Sequence, residues 1–126
     1  MRPKTLAEVA QLTLAGDSFD RCLANFLDEF YAAPTANALA DAPALLAPVL
    51  GGIGQVQDAY LAATAEELAR AQNFTAPAWV AADTRKLHRP WFASPLAALR
   101  AVLLWESPAA FRARNLFVSE NALTRA

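Results

Sequence analysis

Six apolar side chains, Phe19, Cys22, Leu23, Phe26, Leu27 and Phe30, follow one another at steps of three, one, three, one and three. That spacing draws a single stripe along a helix of 3.6 residues per turn and matches neither face of a strand. Asp20, Arg21, Asn25, Asp28 and Glu29 fill the remaining positions, so the opposite side is wet. The stripe predicts a central core helix over 18–32. Asp17 or Ser18 would cap it, and Asp20 suits the positive end of its dipole. Cys22 lies on the stripe and reads as a buried, inert thiol.

The rest of the chain agrees with helix. Alanine supplies 31 of the 126 residues, so much of the 56% apolar content is small helix-forming surface. Thr5 and Glu8 have capping-box spacing and Gly16 supplies a stop, which predicts a helix over 5–15. Ile53, Val56, Tyr60 and Ala63 form a ridge with Leu61 and Leu68 beside it, predicting a helix over 53–72 that carries a Glu66–Arg70 pair. Pro34 can head a short helix through Leu39 and Ala40, and Pro43, Pro48 and Gly51-Gly52 cut the next stretch into turns. Leu45, Leu46, Val49 and Leu50 imply that those turns pack.

Residues 73–94 read as a connector packed through Phe74, Trp79, Trp91 and Phe92. Ser94-Pro95 and Ser107-Pro108 repeat one helix-start device, Ser at the cap and Pro in the first turn. The first predicts a helix ending near Glu106 with Leu96, Leu99, Val102 and Leu103 inward. The second predicts a short helix with Phe111 inward and Arg112 and Arg114 outward. Leu116–Val118 reads as extended, and Ser119 as the cap of a last turn that buries Leu123. The expected fold is all-α: a compact single-domain bundle over 1–126, with about five or six helices and irregular Pro-rich connectors. Helices 18–32, 53–72 and 95–105 would form its core. A chain of this length buries enough surface for a core without staples.

The net charge of −1 hides an asymmetry. Residues 1–75 carry four basic and nine acidic side chains, whereas residues 76–126 carry seven basic and three acidic. Such a split marks either a face for an acidic partner or two surfaces of one globule that attract each other. The second reading is the simpler. Charged residues are only 18% of the chain, which hints at an interface. One cysteine excludes an intramolecular disulfide and fits a reducing, cytoplasmic setting. No uncharged apolar run approaches the roughly 20 residues of a membrane span, and no secretory leader pattern opens the chain.

Little in the chain points to catalysis. His88 is the only histidine and stands in a polar stretch with no nucleophile elbow or similar frame elsewhere. One His and one Cys do not make a metal site. No phosphate-loop or dinucleotide pattern occurs, and Gly51-Gly52-Ile53-Gly54 reads as a helix break. No cofactor is therefore expected. The adjacent carboxylates Asp28-Glu29 and Glu66-Glu67 diverge on their helices and read as solvated faces. Arg85, Lys86, Arg89, Arg100, Arg112, Arg114 and Arg125, interleaved with Trp91, Phe92, Phe111 and Phe117, offer the mixture that single-stranded nucleic acid favours. Those aromatics occupy apolar helix positions, so packing is the stronger reading. Arg and Trp are also the residues of interface hot spots. Arg112 or Arg114 could instead pair internally with Glu106.

Arg89-Pro-Trp-Phe and the block from Glu106 to Ala126, ESPAAFRARNLFVSENALTRA, resemble a family of small uncharacterised bacterial proteins. In that family a PWF precedes a helix and an ESPxxFRxRN[IL]FVSxNxLxRA block ends the chain. The resemblance covers about the last 40 residues, with a looser match at FLDEFY, Phe26–Tyr31. It implies an accessory or antitoxin-like protein beside a nucleotidyltransferase-type partner, and carries no catalytic residues. Some relatives add a helix-turn-helix, a pattern not found here. The leading expectation is a non-enzymatic cytoplasmic protein that binds a protein partner or itself as a homodimer. Its candidate partner-binding residues are Arg89, Trp91, Arg112, Arg114 and Asn115. The alternative is a nucleic-acid-binding regulatory module using the basic C-terminal half.

Overall fold

A computed structural model describes residues 2–125. Helix α1 spans Leu6–Leu14 and α2 spans Phe19–Ala32, and each begins on a side-chain cap. Thr5 Oγ1 accepts from the Glu8 amide at 3.1 Å, while Glu8 Oε1 accepts from the Lys4 amide at 3.0 Å, so the box closes one residue earlier than the usual pattern. Ser18 Oγ accepts from the Arg21 amide at 3.3 Å, which settles the choice between Asp17 and Ser18. All six residues of the α2 stripe are buried, Phe26 completely. Truncating Phe26 to Ala would cost on the order of 3–5 kcal/mol.

Two single-turn helices come next, α3 (Asn37–Ala40) and α4 (Ala47–Leu50), and then the long helix α5 (Gly52–Ala71). Pro34 does not head α3; Thr35 Oγ1 caps it instead, accepting from the Ala38 amide at 3.3 Å. Helix α4 has no cap of its own. Asp58, fully buried nearly two turns inside α5, accepts from the Leu46 amide at 2.7 Å and the Ala47 amide at 3.1 Å. It therefore satisfies the start of α4 from another helix. Gly54 makes the approach possible, because a Cβ there would stand 2.6 Å from the Leu46 carbonyl group. The GGxG run is thus a turn at Gly51, with φ +66°, and a backbone contact at Gly54.

After α5 the chain turns at Asn73, with φ +58°, and makes two 3-10 turns, Ala78–Ala81 and Asp83–Arg85. As expected, this connector packs through its rings: Trp79 Nε1 donates to the Leu39 carbonyl at 2.9 Å. Arg85 is buried, its guanidinium 4.9 Å from the centre of the Trp79 ring and 3.9 Å from Asp58. It also donates to the carbonyls of Pro43 and Asp58. Burial lowers the pKa of Arg85, and Asp58 opposes that shift.

The C-terminal part contains a 3-10 turn (Ala97–Leu99), α6 (Arg100–Glu106) and the single turn α7 (Ala109–Arg112). Two-residue strands β1 (Trp91–Phe92) and β2 (Leu116–Phe117) pair in parallel, Trp91 with Leu116 and Phe92 with Phe117. The extended reading of Leu116 and Phe117 holds. The fold is all-α, with seven α-helices among the described residues and, beside them, only three 3-10 turns and this short strand pair.

Buried residues form two clusters. The larger joins α1, α2, α3 and one side of α5. The smaller joins Ala59 and Ala63 of α5 to Ala110, Phe111, Leu116 and Val118. Tyr60 packs against both, edge-on to Phe19 at 6.2 Å and to Phe111 at 4.9 Å.

The expected core role of 95–105 is overturned. Only Leu103 of α6 is buried, whereas Leu96, Leu99 and Val102 are exposed. The seven residues RAVLLWE include five apolar ones, and a helix lying against one surface can bury only a single stripe. Ser94 does not start the helix either; its Oγ accepts from the Leu96 amide at 3.2 Å, and α6 begins six residues later.

Candidate functional site

The five candidate residues do not converge on one surface. Arg89 and Arg112 are exposed, with no acidic partner among the described residues. Trp91 is half-buried on β1, and its amide donates to the Asn115 carbonyl at 2.8 Å. Arg114 and Asn115 are structural.

Arg114 corrects the outward reading, since it is only 4% exposed. Its guanidinium donates to the Ala110 carbonyl at 2.7 Å, the Val80 carbonyl at 2.8 Å and Glu66 Oε2 at 3.2 Å. It thereby stitches α7, the first 3-10 turn after α5, and α5 together. The orphan carbonyls at the end of a one-turn helix need such a donor. Arg114 therefore pairs with Glu66, not with Glu106. Asn115 takes the left-handed conformation, with φ +62°, and its Nδ2 donates to the Leu87 carbonyl at 2.7 Å. Asparagine tolerates that backbone better than most residues and ends α7 there.

Asp28, Glu29 and Glu66 stand on solvated faces as expected, yet they and the more covered Glu67 all make ion pairs. Glu67 Oε1 accepts from the Ala110 amide at 3.3 Å, so it caps α7 from α5, and its Oε2 binds Arg70 at 2.7 Å. The expected Glu66–Arg70 pair is thus replaced by Glu67–Arg70. Asp28 binds Arg125 at 2.9 Å and Arg2 at 3.4 Å, and Glu29 binds Arg2 at 3.0 Å. The Arg125 hydrogen bond, more than the Coulombic pull of either arginine, holds the Asp28 carboxyl below its ordinary range. Arg85, Arg114 and Arg125 all face acids of the first 75 residues. Part of the charge asymmetry is therefore met by contacts within the globule.

Ser107, expected as a cap for α7, is a staple instead. Its buried Oγ accepts from the Val118 amide at 2.7 Å. Its proton serves the Leu103 carbonyl at 2.6 Å or the Val118 carbonyl at 2.9 Å.

The largest departure from a closed globule is the outer side of residues 96–105. Trp105 is 86% exposed and Leu96 62%, with Leu99, Val102 and Leu104 also exposed. On α6, Val102, Trp105 and Leu104 span the arc away from Leu103. A helix that is apolar all round is normally a buried one. Clusters of this kind mark docking surfaces on soluble proteins. Arg100 lies in the same segment, its guanidinium 5.2 Å from the centre of the Phe92 ring, and no acidic side chain among the described residues pairs with it. The segment had a legible signal, since five apolar residues in a seven-residue helix cannot share one inward stripe.

No described helix is long and apolar enough to cross a membrane, and no group of three or more His, Cys, Asp or Glu among the described residues converges to hold a metal ion. The described residues thus form a small helical protein with an uncovered apolar face at 96–105. No protein-family model, curated protein or solved structure matches the chain.

Proposed function

We propose that this is a non-enzymatic bacterial accessory protein that docks a protein partner through the outer face of residues 96–105. The observation that carries the reading is Trp105, which lies almost wholly in water and is one of five exposed large apolar side chains in residues 96–105. Leaving that area hydrated is unfavourable at about 25 cal/mol per Å², and a partner recovers it. Trp is the residue most enriched where binding energy concentrates. Arg100 adds a cation beside the face, so the partner's complementary surface would be apolar with acidic groups at its margin. The resemblance of the C-terminal block to antitoxin-like accessory proteins supports a nucleotidyltransferase-type partner encoded alongside. Cytoplasmic location belongs to the same reading.

Co-expression with the product of the adjacent gene, followed by size-exclusion and titration calorimetry, tests it. The expected result is a complex at micromolar concentration or tighter, weakened at least about tenfold by Trp105→Ser. Tryptophan emission should shift to the blue as Trp105 leaves water. Absence of a complex at micromolar concentration would sink the proposal. Salt-dependent retardation of DNA or RNA that weakens on Arg89→Ala plus Arg112→Ala would favour the nucleic-acid reading instead.

A further inference from the structure

The α6 face has a counterpart on the same molecule. An open cleft of about 760 Å³ runs between α2 and the first half of α5, with Trp91 and residues 118–125 as its far wall. That volume lies in the range of sites that enclose an apolar group. Ala24, Ile53, Val56 and Trp91 line it, and Ile53 is 55% exposed. The cleft is therefore a second uncovered apolar surface, hollow where the α6 face projects.

The two surfaces also differ in charge. Asp20 stands in the cleft lining and makes no ion pair among the described residues. Burial first, and then the Asp20 carboxylate, push the Tyr60 pKa up to about 12, so the charge of Asp20 is felt inside the cleft. Arg125 lines the cleft too, but Asp28 already engages its guanidinium. Around α6 the sign is reversed. Arg100 is the only exposed charge in residues 96–106, since Glu106 is half-buried. An apolar projection beside a cation thus complements, on another copy, an apolar hollow beside a carboxylate.

The strand pair governs how these surfaces can meet. Successive residues of a strand point to opposite sides. Trp91 and Ala93 line the cleft, whereas the Phe92 ring between them carries Arg100 of α6. Val118 also lines the cleft, and its neighbour Phe117 stacks on Phe92 at 5.1 Å. The cleft and the α6 face therefore lie on opposite sides of the β1–β2 pair. A reciprocal exchange within one pair of copies is disfavoured, and the contact adds copies in one direction.

We propose that, without another partner, the chain assembles head to tail: Trp105 of one copy enters the α2–α5 cleft of the next, and Arg100 of the first lies beside Asp20 of the second. Such an assembly presupposes that the α6 face is a docking surface, and it covers that face in the protein alone. One short helix in one groove is at the low end of interface size, so the dissociation constant is expected on the order of 100 µM. A tighter partner displaces the second copy by competing for Trp105.

Sedimentation velocity of the full chain from about 10 µM to about 1 mM tests this. The expected result is a monomer at the low end and species beyond the dimer at the high end, with tryptophan emission moving to the blue. Trp105→Ser and Ile53→Arg should each hold the chain monomeric. Both positions are exposed, so both variants should keep native melting. Mixed in equal amounts they should form a dimer and nothing larger, because one retains the cleft and the other the face. Asp20→Lys and Arg100→Glu should each weaken assembly about tenfold and restore it when mixed. A monomer throughout the range overturns the proposal, and leaves the docking reading standing if the partner complex still forms. Assembly lost in Trp105→Ser but kept in Ile53→Arg also overturns it, because two α6 faces would then be packing on each other. A mixture of those two variants that stays monomeric overturns it as well.

Discussion

Asn115 carries two jobs that only its own side chain and backbone can combine. It holds φ +62° at the end of α7 and donates from Nδ2 to the Leu87 carbonyl. Replacement by Ala loses both and is expected to cost roughly 2 kcal/mol. Asn115→Gly keeps the backbone freedom and should recover about half of that. Urea unfolding of the two variants checks the order; equal losses would mean the left-handed backbone is not the issue. Tyr60 gives a pH test at the same scale. Its folded pKa of about 12 lies above the ordinary 10.0. For a group raised in this way, stability is intact below about pH 10, where folded and unfolded chains both hold the proton. It then falls as pH rises toward 12, because the unfolded chain releases its proton first. The loss should reach about 2 kcal/mol, and Tyr60→Phe should flatten it in denaturation curves collected across that range.

At the scale of elements, α6 divides cleanly into one inward residue and an uncovered remainder. Leu103→Ala should cost about 2–4 kcal/mol, since Leu103 is the helix's buried anchor. Trp105→Ser should stay within about 0.5 kcal/mol, because almost nothing covers the ring. Thermal melts of the free protein decide this, and a large loss at Trp105 would show that the ring packs in solution. The contrast also shows what periodicity reveals. Helices α1, α2 and α5 were legible because their apolar spacing repeats over two or more turns. For α6 the pattern was apolar but not one-sided, and a Ser-Pro start suggested more order than the helix has. The contacts of Asp58 with α4, of Glu67 with α7 and of Arg114 with the Val80 carbonyl of the first 3-10 turn were not legible at all. Each joins a side chain to backbone groups that lie 11 to 43 residues away. No local pattern encodes which single-turn helix a remote carboxylate or guanidinium will cap.

Across the whole molecule, the split between an acidic first part and a basic second part is spent in part on internal pairs, made by Arg85, Arg114 and Arg125. That leaves Arg89, Arg100 and Arg112 as the exposed cations of the second part with no acidic partner among the described residues. The candidate partner residues belong to one stretch of sequence. The fold scatters that stretch across a buried staple, a turn, a strand and open surface, which is why two of the five proved structural. One carboxylate has a topological consequence. Asp28 binds Arg2 and Arg125 together, so the backbone at positions 2 and 125 is separated by no more than two arginine side chains and the carboxylate bridging them. The described chain is a nearly closed ring broken at one seam. A peptide linker of a few residues across that seam should close it without bending a helix. Such a circle would have fewer unfolded conformations and is expected to melt at a higher temperature than the linear chain. Opening the ring elsewhere, in the bend between α2 and α3, would give a permutant with new ends and the same interior.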